Sequence, residues 1–368
     1  MFKNSLIRRS LSIILVMLIL QACQSATQTP VPTPTAESMV TPTTEAAVLP
    51  TQTEDQIPVA LSSDMKPSGK LILSDYNSGI SEFNFATMTL VPRFRPPNNG
   101  FVGPTALSPD GKTFLMVYSI PRDIGDPQYG AADLYTLSAD GLGEPQLLLN
   151  TTESGDYYFS PWWSPDGQSL YYGRLYTPIS GPPIKQTGYF LVRYALPSGP
   201  PQDLTTDILN VRVSADGKKL FYVSVNPQTT LSNIFQAELD GSNAKGLLPD
   251  GETWIIDSIG VSPDGGSVIF NRGISESSQA GTSLLYDLMG IRVASAHNLP
   301  SDIWIMKIGE APKQLTHLDG YGFVADFSPD GQYIGFSCDT GVYVMRSDGT
   351  GQTKVSNQPS FSMLQWVP

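Results

Sequence analysis

Phe327-Ser-Pro-Asp-Gly-Gln-Tyr-Ile-Gly-Phe336 is an apolar residue, a four-residue turn and a run of strand-forming residues. In the turn, Pro presets φ for the second position, Asp suits the third, and Gly accepts positive φ at the fourth. One strand therefore enters, reverses and leaves as another, which is a hairpin. The unit is written again at Leu107-Ser-Pro-Asp-Gly111, Trp163-Ser-Pro-Asp-Gly167, Val213-Ser-Ala-Asp-Gly217 and Val261-Ser-Pro-Asp-Gly265. Copies recurring every roughly 50 to 65 residues mark an architecture assembled from one supersecondary unit.

Outward from each turn the pattern continues. A second apolar strand follows, as in Leu220-Phe-Tyr-Val223 and Val268-Ile-Phe270, and after a variable loop a third, as in Leu134-Tyr-Thr-Leu137 and Ile303-Trp-Ile-Met306. Tight turns at Ala139-Asp-Gly141, Leu239-Asp-Gly241 and Ser347-Asp-Gly349 lead to a short fourth strand. Four antiparallel strands per repeat make one propeller blade. The ends of the chain complete each other. Lys66-Pro-Ser-Gly-Lys70 is a degenerate turn followed by three strands with no first one, and Phe361 to Pro368 reads as a first strand that stops inside its turn. Trp366 then takes the register of Trp163 and Phe327. The expectation is an all-β, six-bladed β-propeller over residues 66–368, closed by the C-terminal strand so that no blade is left with an open inner edge.

Asp302-Ile-Trp-Ile-Met306, Gln314-Leu-Thr316 and the Phe327 to Phe336 stretch together resemble the repeats of TolB-like propellers of bacterial periplasmic and surface proteins. The resemblance implies the propeller fold over residues 66–368. It does not extend to the globular α/β domain that precedes the propeller in TolB. The Gly-His and Trp-Asp dipeptides of WD repeats are absent from this chain.

What precedes the repeats has a different composition. Lys3, Arg8 and Arg9 make a basic start, Leu11 to Leu20 an apolar run too short to span a bilayer, and Leu20-Gln-Ala-Cys23 a small-residue exit. Residues 1–22 read as a signal peptide, and the exit resembles the lipobox of bacterial lipoproteins, which implies Cys23 as the lipidated first residue. Residues 23–65, rich in Thr and Pro, have too few large apolar side chains to pack and read as a disordered tether. The expected location is extracytoplasmic, held to a membrane by the lipid anchor alone. Cys338 is the only other cysteine, so an internal disulfide is not expected. The formal charge is −12, and removing the signal takes away three cations and no acid. Such a surface does not suit nucleic acid.

Catalytic chemistry is poorly supplied. There are two histidines, His297 and His317, and no Gly-x-Ser-x-Gly, His-Glu-x-x-His or Cys-x-x-Cys pattern. The aspartates Asp110, Asp166, Asp216, Asp264 and Asp330 are each required by their own turn, and neither a metal nor a cofactor is expected. Topology puts the loops between second and third strands on one face, together with the connections between blades, and the Ser-x-Asp-Gly turns on the other. The loops 120–132, 174–188, 225–232 and 274–301 are long, and elaborated loops on a rigid scaffold are where binding usually resides. Candidate binding residues on that face are Arg122, Asp123, Asp126, Tyr129, Tyr157, Tyr158, Tyr176, Trp254, Tyr286, Arg292 and His297, with Lys185 beside them. The insertion 274–301 fits a short helix or an extra hairpin equally well. The residues before each turn, including Trp163 and Trp366, are expected to pack between blades. The functional expectation is a non-enzymatic module binding a protein, peptide or glycan. The alternative is a propeller hydrolase or lyase using carboxylates such as Asp123, Asp126, Asp156 or Asp257, which needs two carboxyls about 5 to 10 Å apart.

Overall fold

The computed structural model of the chain describes residues 61–98, 100–121, 132–151, 157–176, 188–226, 229, 231–249, 254–273 and 299–368, with Tyr176 described by its backbone. The stretches expected to be signal and tether, with Cys23 and except for residues 61–65, and most of residues 274–301 lie outside these residues.

Six four-stranded antiparallel sheets form the six blades. Blade 1 joins Met363–Val367 to Lys70–Asp75, Gly79–Asn84 and Thr89–Phe94. Blades 2 to 6 run over residues 101–149, 157–206, 208–246, 259–314 and 324–356. Closure is in the expected register. Trp366 lies opposite Leu71, as Leu107 opposes Phe114, Trp163 opposes Leu170, Val213 opposes Leu220, Val261 opposes Val268 and Phe327 opposes Ile334.

Each Ser-x-Asp-Gly turn is tied by a small polar network that the sequence reading credits only to Pro, Asp and Gly. The Ser hydroxyl donates to the Asp carboxylate at 2.5 to 2.7 Å in all five copies. The same hydroxyl oxygen accepts the backbone N–H five residues on, at 2.8 to 3.0 Å. The Asp carboxylate also accepts the N–H two residues on. The five glycines share φ between +67° and +72°. At Gly111, Gly167 and Gly265 an added Cβ would meet no atom within 4 Å. Glycine is needed there for its backbone angle and not for space.

Six hydrophobic clusters fill the six interfaces between neighbouring blades. The core is therefore distributed around the ring. Second strands such as Tyr333–Cys338 are buried along their whole length because a blade covers each face, which is why they read as unbroken apolar runs. Two outer strands are very short: Lys245–Gly246 and Lys313–Gln314 have two residues each, which limits the edge open to foreign strands. Trp366 is 5 % exposed in the cluster between blades 1 and 6 and stacks on Phe85 at 4.7 Å. Trp163 is partly buried between blades 2 and 3. Cys338 is fully buried, and burial pushes its thiol pKa up. Packing also begins slightly before the repeats. Met65 is buried beside Leu71, and the Arg346 guanidinium pairs with Asp64.

Candidate functional site

Of the residues expected to form the binding face, Arg122, Asp123, Asp126, Tyr129, Lys185, Tyr286, Arg292 and His297 lie outside the described residues. Tyr176 ends the second strand of blade 3, in register with Gly188. Two other candidates are corrected. Tyr158 is 5 % exposed, packs between blades 2 and 3, and donates its phenol to the Asn150 carbonyl at 3.0 Å. Trp254 is 3 % exposed between blades 4 and 5, edge-on to Phe270 and Trp304, with the Arg272 guanidinium 4.1 Å above its ring. Both anchor the core. For Tyr158 the cause is strand alternation, since neighbours Tyr157 and Tyr158 leave the backbone on opposite sides.

Tyr157 opens the first strand of blade 3, half-buried against the cluster between blades 2 and 3, with its phenol hydrogen-bonded to Tyr189; burial holds its pKa well above the usual phenol range. Phe159 lies 6.0 Å from Tyr157 and 5.8 Å from Tyr189, and Tyr76 lies 6.1 Å from Phe101. Tyr76 is 45 % exposed. It sits on a turn in which the Asp75 carboxylate accepts the N–H groups of Asn77 and Ser78. Blades 1 to 3 thus place an aromatic band at the loop end, in which Tyr76 is exposed while Phe101, Tyr157 and Phe159 also pack against the clusters between blades. Tyr76 and Tyr189 are new members of it; their signal was a tyrosine at the end of a strand facing the loops. Of the carboxylates proposed for hydrolysis, only Asp257 is described, and it accepts a bond from the Asn271 amide at 2.7 Å. No group of three or more potential metal ligands occurs among the described residues.

The channel wall is set by the residue before each apolar one: Ala106, Trp162, Arg212, Gly260, Asp326 and Gln365. Strand alternation turns these inward when the apolar residues turn toward the blades. A bulge between Phe159 and Trp162, with Ser160 at φ +45°, adjusts the strand that carries Trp162. Arg212 is 2 % exposed. Its guanidinium lies 4.3 Å over the Trp162 ring and donates to Asn210 Oδ1 at 2.8 Å, the Val211 carbonyl at 2.9 Å and Met363 Sδ at 3.1 Å. Asp326 accepts the N–H groups of Phe327 and Trp366, each at 3.0 Å. Burial raises its carboxyl to about 6, against the attraction of Arg212 and the two N–H bonds. Gln365 reaches from the closing strand to the Leu107 backbone, accepting its N–H at 2.7 Å.

Above this wall, on the turn face, lies a cavity of about 870 Å³. Pro109, Pro165, Pro263, Pro329 and Pro368 surround its mouth, one from each of five blades, with Ala215 in the sixth place. Trp163, Val213, Val261, Phe327 and Trp366 contribute its apolar sides, and Trp162, Asp326 and Gln365 line it as well. Trp163 and Trp366 pack between blades and also border this cavity.

No protein-family model matches the chain, and no curated protein matches it in sequence. Solved structures do match. TolB from Acinetobacter baumannii aligns with 83 % of this chain and 68 % of its own, at 15 % identity and a TM-score of 0.56. A TolB-assigned protein from Agrobacterium tumefaciens aligns with 83 % of this chain and 100 % of its own, at 17 % identity and a TM-score of 0.52. A chain of a nidogen/laminin complex aligns with 81 % of this chain and 97 % of its own, at 10 % identity and a TM-score of 0.53. At these identities the likeness is one of fold, and the chain has the six-bladed ring of TolB-like propellers.

Proposed function

We propose that the protein is a non-enzymatic binding module, exported and held to a membrane through a lipid on Cys23, that engages a protein or peptide partner at the loop end of its ring. The observation that carries this reading is the aromatic band of Tyr76, Phe101, Tyr157, Phe159 and Tyr189 across three blades. Rings with hydrogen-bonding phenols, mounted on rigid strand ends, give contact area with little side-chain entropy to lose. The band adjoins the loops that the sequence lengthens. A propeller of the same fold occurs in the nidogen/laminin complex, an analogy of architecture that is compatible with protein binding.

Crosslinking in intact cells, followed by identification of the captured protein, tests the reading. The wild type should capture a discrete partner that is lost in the double variant Tyr76→Ala/Tyr157→Ala and on deletion of residues 276–299. Capture unaltered by both changes would remove the loop end from the function. Cys23→Ala tests the anchor separately: the protein should move from the membrane fraction to the soluble one, and continued sedimentation with membranes would disprove lipid attachment.

A further inference from the structure

The cavity on the turn face is at the opposite end of the channel from the aromatic band, and its rim is poor in donors. Proline has no N–H to donate, so the five prolines leave the mouth poor in backbone donors. The indole N–H of Trp163 is already given to the Ala106 carbonyl and that of Trp366 to the Ser68 carbonyl. The cations at its edge, Lys70 and Arg93, both pair with Glu82 at 3.1 and 2.9 Å. Acceptors remain. Asp326 keeps free lone pairs beyond its two N–H bonds, and the turn carboxylates Asp110 and Asp140 also border the cavity.

We propose that this cavity is a second binding site, which receives a lysine or arginine side chain carried on an apolar segment of a partner protein. A side chain of that kind is a pure donor and so complements a mouth whose proline rim offers no N–H. Its charge complements the carboxylates at the mouth and on the wall, and its aliphatic stem matches the walls formed by Trp163, Val261 and Phe327. Aromatic rings beside a carboxylate suit a guanidinium in particular, and Arg212 over Trp162 is the same pairing made within the fold. The volume of about 870 Å³ falls within the range of pockets that enclose a ligand. The site is separate from the loop-end surface, so either can fail without the other.

The full-length protein, purified in mild detergent, is titrated with three acetylated, amidated peptides that differ only at the central residue of Leu-Pro-x-Pro-Leu: arginine, neutral citrulline or glutamate. Quenching of tryptophan fluorescence reads the binding, since Trp162, Trp163 and Trp366 line the cavity. The arginine peptide should saturate, citrulline should bind about 10-fold more weakly and glutamate should not bind, as expected for loss of a charge-assisted hydrogen bond. Asp326→Asn should weaken the arginine peptide by about 10-fold. Because Asp326 also holds two backbone N–H groups, a second variant is needed. Ala215→Lys, at an exposed turn position, puts a cation at the mouth without touching the core and should weaken binding by roughly 3- to 10-fold. Tyr76→Ala, at the other end, should leave binding unchanged. Equal affinities for arginine and citrulline, insensitivity to both cavity variants, or no saturation up to about 10 mM, beyond any specific affinity, each overturn the proposal.

Discussion

The two faces of the ring are made by the same strands, yet they are built on opposite plans. On the turn face one solution is repeated: a Ser hydroxyl, an Asp carboxylate and a Gly at positive φ close each hairpin with the same bonds at nearly the same distances. On the loop face the connections differ in length and sequence, and the described part of it collects unrelated aromatic side chains from three blades. Uniform turns look like scaffolding and varied loops look like function. The cavity complicates that division. A ring of identical turns around a common axis places identical residues around a common opening, so repetition on the scaffold face itself produces a proline-rimmed pocket. Variation then enters one residue deeper, at Trp162, Arg212, Asp326 and Gln365, where the channel wall is different in every blade.

Removing the closing strand tests most severely whether the ring is one cooperative object. Deletion of residues 361–368 uncovers the inner edge of Lys70–Asp75 and should leave the chain aggregated or unfolded, by circular dichroism and size-exclusion chromatography. Survival of a compact, soluble monomer would mean that the blades are held independently of closure. Trp366→Ala probes the same seam more gently. It removes a large side chain that is 5 % exposed and should cost about 3–5 kcal/mol in urea unfolding.

Ser164→Ala addresses the turn network. The Ser164 hydroxyl donates to Asp166 at 2.5 Å and accepts the Ser169 N–H at 2.8 Å, so its loss should cost about 1–2 kcal/mol. The pH dependence of stability should separate the turns from the channel by sign. The turn carboxylates Asp110, Asp166, Asp216 and Asp264 are held below the usual range, first by their Ser hydroxyls. What they contribute is present above the ordinary Asp pKa of about 4 and is lost as pH falls through their folded values. Asp326, raised to about 6 by burial, does the reverse: protonation favours the fold, so its contribution grows as pH falls from about 6 to about 4. Thermal melts should show the wild type gaining stability relative to Asp326→Asn between pH 7 and pH 5; parallel profiles would mean that the carboxyl is not perturbed. The smallest effect on stability belongs to the loop end. Tyr76→Ala should change it by less than about 0.5 kcal/mol, while lowering partner capture together with Tyr157→Ala. A larger stability loss would make Tyr76 a structural residue and weaken the contrast between the faces.

The fold was legible in the sequence because the turns are local. A Ser-x-Asp-Gly tetrapeptide satisfies its own bonds within five residues, so its meaning needs no distant partner, and five copies with two complementary ends suffice to count six blades and to set Trp366 in the register of Trp163 and Phe327. The candidate site was less legible. Tyr158 and Trp254 read as surface aromatics because they stand near loops, and only the neighbouring blades show that they are buried. Arg212 and Asp326 are charges in otherwise apolar strands; their mutual attraction depends on two blades far apart in sequence meeting at one axis, which no local pattern records.

By itself, then, the sequence determined the unit, the number of its copies and the way the ring closes, since each is written in hydrogen bonds and apolar alternation over a few residues. Tertiary structure alone decided which side chains face water, which face the channel, and that the repeated turns enclose a cavity. Those properties belong to the ring as a whole: burial is set by the blade next door, and an opening on the axis exists only when six separate strands converge on it.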